Sequence, residues 1–261
     1  MPLSATADTP GTKIIGSYLS PYVRKVLVCL DLKGVPYEID PIVPYFGNDE
    51  FAGLSPLRRV PVLIDDQGVI TDSTVICEYL EERYPAPSLM PDTPTLRARA
   101  RWLEEFADSR MGEVLIWHLY NQVVIKKYVW GQAPDKAVLE KAQTTEIPQI
   151  LNYLERELPG SGFLFDDLSI ADIAIATFFR NAFFSGFSFT AKGEAQSQWP
   201  TTADYVNRVL ALDSFKKLEP FEAVSLKTPI AKHAEALRNA GAPVSPETLG
   251  EAVPRAGIVA T

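Results

Sequence analysis

Apolar positions recur along this chain with two different periods, and the change of period falls near residue 84. Before it, short apolar runs of strand length alternate with helical stretches. Lys13 to Tyr18 (KIIGSY) reads as a strand. Pro21 to Lys33 carries Val23, Val26, Leu27 and Leu30 at helical spacing; Pro21 suits a first helical turn and Gly34 stops the helix. Val35 to Ile39 alternates as a second strand, and a helix of this length between two strands predicts a right-handed parallel βαβ unit. A short helix is expected near Glu50 to Leu54. Val60–Ile64 and Val69–Ile70 read as strands around a tight turn at Gln67-Gly68, followed by a helix from about Asp72 to Arg83. The predicted order is β-α-β-α-β-β-α.

Tyr84-Pro85-Ala86-Pro87 breaks that helix and reads as a linker. Everything after it follows the helical period. A long amphipathic helix is predicted from about Thr95 to Tyr120 or beyond, and another from Asp135 to Leu158 with a kink at Pro148. Pro159-Gly160-Ser161-Gly162 is a turn. Ser169 is a candidate N-cap with Asp172 three residues on, an acidic variant of the capping box, and Leu168 and Ile173 are placed as its hydrophobic staple. The helix that follows is apolar nearly all round and is expected at the centre of the helical part. Shorter helices are predicted near Thr202–Leu212 and Ser214–Glu219. After Pro220 come a weak amphipathic helix (Ile230 to Ala240) and an end rich in Pro, Gly and Ala.

Composition narrows the class. The chain has 261 residues, 46% hydrophobic and 22% charged, enough for one large core or two smaller ones. A net charge of −8 argues against a nucleic-acid binder, for which a basic face is expected. No apolar run is long enough to span a bilayer; the best candidate is interrupted by Arg180 and Asn181. The start, MPLSATADTPG, reads as a flexible lead-in and not as a secretory signal. Two cysteines, Cys29 and Cys77, imply a reducing compartment, so a cytoplasmic location is expected. With only His118 and His233, neither a His-rich metal site nor a catalytic triad is expected, and no metal is assigned. His118 reads as a helix-face residue, and both cysteines read as structural.

The segment RVPVLIDDQGVITDS, from Arg59 to Ser73, breaks a local rule. Proline cannot donate to a strand ladder, so Pro61 belongs at a strand start or edge, and the Val60–Pro61 bond is a candidate for the cis form. The main chain of Val60 is then left unpaired, open to a peptide-like ligand as an added strand. Asp72 and Ser73 sit where a helix start presents free N–H groups, which favours a carboxylate. Arg24, Lys25, Arg58 and Arg59 cluster near these positions, and Arg24 and Lys25 read as surface or structural charges.

Three segments carry a family resemblance. SPYVRKV (Ser20 to Val26), LSPLRRVPVL (Leu54 to Leu63) and TDSTVICEYLEERYP (Thr71 to Pro85), in this order and spacing, resemble the catalytic-serine, cis-proline and γ-glutamyl-binding segments of the cytosolic glutathione transferase superfamily, serine type. The Leu168–Ile173 cap also resembles that family's second-domain capping motif. The likeness covers most of the chain up to about Glu219. Ser55 stands where the family carries Asn, the Ser-Ser-Cys signature of the isomerase-type (zeta) branch is absent, and Ser20 stands where disulfide-exchanging members carry Cys.

The resemblance implies an α/β thioredoxin-like N-terminal domain (12–84) that binds glutathione. An all-α C-terminal domain (93–220) would hold the second substrate, and a tail (221–261) would follow. It implies glutathione as co-substrate, a small electrophilic partner, and a homodimer. The expected activity is glutathione transfer. Glutathione-dependent reduction of a disulfide or peroxide, and a non-catalytic binding protein on the same fold, are the alternatives. Ser20 is the first candidate to stabilise the thiolate, through its hydroxyl at a helix start; Tyr18, at the end of the first strand, is its rival. Asp72 would take the γ-glutamyl ammonium and Ser73 the carboxylate. Val60, with Pro61, would pair with the cysteinyl backbone, and Arg59 would reach the glycyl carboxylate. Trp102, Phe106 and Arg110, spaced by four, are the candidates for the second-substrate pocket, with Met111 and Trp117 nearby.

Overall fold

The computed structural model describes residues 11–190 and 197–255. Apart from Gly11, the lead-in expected over the first residues lies outside them, as does the end of the tail. Two compact units divide the chain: residues 11–80 with 219–255, and residues 81–218.

The first unit is built on a four-stranded mixed sheet in the order β2-β1-β3-β4. Its strands are β1 (Lys13–Ile15), β2 (Glu38–Asp40), β3 (Val62–Asp65) and β4 (Gly68–Thr71). β1 and β2 are parallel and joined through α1 (Pro21–Leu32), as the βαβ pattern predicts. β1 is shorter than expected because Gly16 and the Ser17 turn end it. Ser17 Oγ accepts the Leu19 N–H at 3.2 Å, and Ser17 O accepts the Ser20 N–H at 2.9 Å. α2 (Asp49–Leu54) is capped by Asn48, whose Oδ1 accepts from Phe51 N at 2.9 Å. α3 (Ser73–Arg83) follows β4. The hairpin turns at Asp66-Gln67, one residue earlier than expected. Asp65 is the reason: its carboxylate accepts the N–H of Gln67 at 2.8 Å and of Gly68 at 3.3 Å, a local turn that competes with the ladder.

Residues 219–255 complete this unit. α11 (Glu219–Lys227) and α12 (His233–Asn239) are helical, and the chain beyond them lies along the free edge of β2. Ile39 N–H donates to Pro243 O and Ser245 N–H to Ile39 O, both at 2.8 Å, and Val244 bridges Ile39 in parallel. Farther on, Asn48 N–H donates to Leu249 O, Glu251 N–H to Phe46 O and Arg255 N–H to Tyr45 O.

The second unit is helical. α4 (Pro94–Phe106) continues without a break through a π-helical stretch (Ala107–Ile125) into α5 (Lys126–Tyr128). The expected kink near Pro148 takes the form of a wide π turn (Ala142–Glu146) between α6 (Lys136–Lys141) and α7 (Ile147–Glu157). Pro148 sits in the first turn of α7, where its missing N–H leaves a gap in the i→i−4 ladder. α8 (Ile170–Phe184) is the central helix; its residues from Ile170 to Phe179 are all buried. It packs against the long helix and against α9 (Pro200–Leu210), and α10 (Asp213–Lys216) closes the unit. No helix among the described residues is long and apolar enough to cross a membrane.

Candidate functional site

The register of the sheet brings most of the candidates to one end of it. Asp40, Ile15, Val62 and Thr71 form a row across all four strands. The chain leaves this row in three places. Beyond Ile15 it runs through Gly16 to Ser20; before Val62 stand Val60 and Pro61; after Thr71 come Asp72 and Ser73. Gly16 keeps two of these close together, at φ 152°: a Cβ there would meet Val23 Cγ2 at 2.4 Å and Val60 Cβ at 3.2 Å. No larger residue lets the first turn of α1 and the Val60 segment approach in this way.

Ser20 is the N-cap of α1, half-buried, with its Oγ accepting the Val23 N–H at 3.3 Å. That bond uses a lone pair and leaves the hydroxyl proton, which donates to no group among the described residues. An anion placed there meets a hydroxyl donor at the positive end of a helix.

The Val60–Pro61 bond is cis. Val60 lies outside β3, and its main-chain N–H and C=O make no hydrogen bond among the described residues. The segment before it is held by Ser55, whose buried hydroxyl donates to Arg59 O at 2.9 Å and accepts Arg59 N–H at 3.0 Å. Arg59 itself is exposed.

Asp72 has φ 77°, a left-handed conformation that Asp tolerates better than most residues. Its Oδ1 accepts from Thr74 N at 2.9 Å and from Val75 N at 3.4 Å, and the carboxylate is exposed. Ser73 is buried, yet its N–H and hydroxyl donate to nothing among the described residues. Lys25, fully buried in α1, donates to Thr74 Oγ1 at 3.1 Å and ties the starts of α1 and α3 together.

Tyr18 lies within the same Gly16-to-Ser20 segment. Its ring is buried, tilted against Phe221 at 5.1 Å, and its hydroxyl faces Tyr37. Burial, then the neighbouring Tyr37, pushes the Tyr18 phenol far above its ordinary value; burial pushes Tyr37 up to about 12. Arg24, read as a surface or structural charge, proves structural: it is buried and donates from Nε to Glu222 Oε1 at 2.5 Å and from Nη2 to Tyr18 O at 3.2 Å.

Trp102, Phe106 and Arg110 do share one face, in the helical unit. Trp102 Nε1 donates to Tyr153 Oη at 3.0 Å, the Phe106 ring lies 4.6 Å from that of Tyr153, and Arg110 pairs with Glu113 at 2.6 Å and Glu146 at 3.8 Å. Met111 is in the core. His118, expected to have no part in chemistry, bonds Glu146 through Nδ1 at 2.7 Å. Ser17 was not singled out from the sequence, Ser55 was noted only as a departure from the family's Asn, and Lys25 only as a charge, because its partner Thr74 lies 49 residues away.

The family model for the glutathione S-transferase N-terminal domain matches residues 14–88, and that for the C-terminal domain matches residues 98–208. The chain belongs to the glutathione S-transferase superfamily. Its fold is that family's: an N-terminal domain on a small mixed sheet and a helical C-terminal domain. Among curated relatives, the uncharacterized GST-like protein YibF of Escherichia coli K12 is 31% identical over 212 residues, covering 81% of this chain and all of that one. Rat maleylacetoacetate isomerase is 32% identical, covering 80% of this chain and 93% of its own. Among solved structures, a glutathione S-transferase from Sinorhizobium meliloti 1021 superposes with a TM-score of 0.72 at 25% identity, covering 86% and 98% of the two chains.

Proposed function

We propose that this chain is a glutathione transferase that binds glutathione at the end of the sheet marked by Ile15, Val62 and Thr71, and activates its thiolate for attack on a small electrophile. The observation that carries this reading is the Ser20 hydroxyl, which accepts a cap bond and keeps its own proton for an anion. Capping and catalysis therefore need not compete for this group. Lowering a thiol's pKa by about 2 units takes about 2.7 kcal/mol of preference for the thiolate, a magnitude that a charge-assisted hydrogen bond and a helix start together supply. Tyr18 does not fit the role, because its phenol is buried against Phe221.

The rest of the tripeptide is assigned to residues at the same end of the sheet. Val60 offers a main-chain donor and acceptor to the cysteinyl residue. Ser73 offers an N–H and a hydroxyl to the γ-glutamyl carboxylate at the start of α3, and Asp72 offers its carboxylate to the ammonium. Arg59, exposed beside Val60, is assigned the glycyl carboxylate. The aromatic stripe fits a different role from the expected second-substrate pocket. Its polar atoms already have partners on α7 and the π turn, while Trp102 remains 50% exposed. That edge suits contact with a second copy in a homodimer, to be checked by light scattering of the wild type and Trp102→Glu. A cytoplasmic location belongs to the same reading.

The test compares Ser20→Ala and Tyr18→Phe with the wild type on glutathione resin and in conjugation to an aryl halide. Ser20→Ala should still bind the resin, lose about 10²-fold in kcat, as expected on removing one donor to a reacting anion, and raise the pH at which bound glutathione gains thiolate absorbance. Tyr18→Phe should leave that profile in place. An unchanged Ser20→Ala profile overturns the assignment. A wild type retained on resin but inactive on aryl halide, disulfide and maleyl isomerisation alike points to the binding protein instead.

A further inference from the structure

Cys29 and Cys77 take no part in the reading above. They are the chain's two cysteines, they stand in α1 and α3, and their Sγ atoms lie 3.7 Å apart. The two helices start at the same end of the sheet and run the same way. Lys25 meets Thr74 one turn earlier, and Cys29 meets Cys77 one turn later. The sulfurs thus face each other across a fixed helix pair, and only about 1.7 Å of approach separates them from a disulfide's S–S distance of about 2.05 Å.

We propose that Cys29 and Cys77 form an oxidisable dithiol, which a small hydroperoxide converts into a disulfide linking α1 to α3. Cys77 is the point of attack, at 6% exposure against 1% for Cys29. The Cys77 sulfur attacks the outer oxygen of the hydroperoxide, the O–O bond breaks, and alcohol or water leaves with the displaced proton, giving a sulfenic acid. The Cys29 sulfur then attacks the Cys77 sulfur, and the S–O bond breaks. The hydroxide leaves as water with the Cys29 proton. Two thiols lose two electrons and the peroxide gains them. An added dithiol reverses the change. The burial that admits a peroxide excludes a bulky disulfide, so glutathione disulfide is a poor oxidant here. The bridge would fasten together the helices whose first residues are Pro21, next to Ser20, and Ser73.

The test uses the full chain, reduced, with hydrogen peroxide as the probe, then alkylation in denaturant, peptide mapping and intact mass. Peroxide should remove about 2 Da, abolish alkylation and yield one linked Cys29–Cys77 peptide, with two alkylations returning after dithiothreitol. The oxidised form should melt at a higher temperature than the reduced. In Cys29→Ser, peroxide should instead add about 16 Da or more at Cys77. Wild-type cysteines that both stay alkylatable, that reach sulfinic or sulfonic acid without linking, or that link only between chains overturn the proposal. All these readouts follow sulfur alone, so failure to bind glutathione leaves them intact.

Discussion

Arg24 shows how much a single side chain can commit a structure. It is a full positive charge with almost no exposure, in a helix otherwise rich in valine and leucine, and Glu222 from the far end of the chain neutralises it. Such a pair is costly to bury, but breaking it is costlier, because the remaining charge stays in an apolar place. Glu222→Gln should therefore lower stability by about 3–5 kcal/mol, measured by urea unfolding. The double variant Arg24→Met with Glu222→Leu should recover most of that loss. Ser55 is a smaller case of the same economy. The position carries Asn in the family resemblance, yet its short hydroxyl both accepts from and donates to Arg59, so Ser55→Ala should loosen the approach to Val60 and raise KM for glutathione more than it lowers kcat. The first partnership is not legible locally, because Arg24 and Glu222 are 198 residues apart.

Elements that rest on nearby residues were legible, and those that need distant partners were not. The start of α8 is both. Ser169 and Asp172 stand three apart, and the carboxylate accepts from Ser169 N at 2.8 Å, as a capping box requires, and in addition from Ser169 Oγ at 2.6 Å. It also accepts from Leu164 N at 2.9 Å and from the Tyr205 hydroxyl, which no spacing announces. Burial, then the neighbouring Asp172 carboxylate, pushes the Tyr205 phenol far up, so the hydroxyl remains a donor. One carboxylate thus serves four donors in the middle of the helical unit. Asp172→Ala should strand several buried donors at about 1–3 kcal/mol each, enough to consume a typical domain's stability of about 5–15 kcal/mol. Soluble yield and near-ultraviolet circular dichroism would register that collapse. Tyr205→Phe removes one donor only and should cost about 1 kcal/mol. The site end of the sheet follows the same division. Pro61, Asp72 and Ser73 are marked by residue type, whereas the approach of α1 to Val60 across Gly16 depends on register, which is fixed only once the strands pair.

At the scale of the whole molecule, the segment beyond residue 218 is what the family likeness explains least and the structure uses most. The matched domain models end at residue 208, yet α11 supplies Glu222, and the chain after α12 covers the edge of β2. An uncovered strand edge invites pairing with other chains. Asp40 anchors the cover. Its fully buried carboxylate accepts from Thr248 Oγ1 and Leu249 N, both at 2.7 Å. Burial raises its pKa above the ordinary 3.8, against the opposing pull of those two bonds and of Lys13. A folded pKa raised above the unfolded one means that the native state holds the proton more tightly. The contribution of Asp40 is then complete below about pH 3.8 and is lost as pH rises through the folded value. Asp40→Asn keeps the shape and cannot ionise, so its melting temperature relative to wild type should rise with pH across that window. The opposite slope would mean that the two hydrogen bonds outweigh burial. Removing residues 242–261 should leave α11 and its ion pair in place but bare the β2 edge. The shortened protein should then still bind glutathione resin, unfold at lower urea and self-associate with increasing concentration in light scattering. Removing residues 219–261 takes Glu222 as well and leaves Arg24 buried without its carboxylate, so that variant should not fold its first unit at all. A truncation at 218 that kept glutathione binding would show that the C-terminal segment is an appendage and not part of the first unit's core.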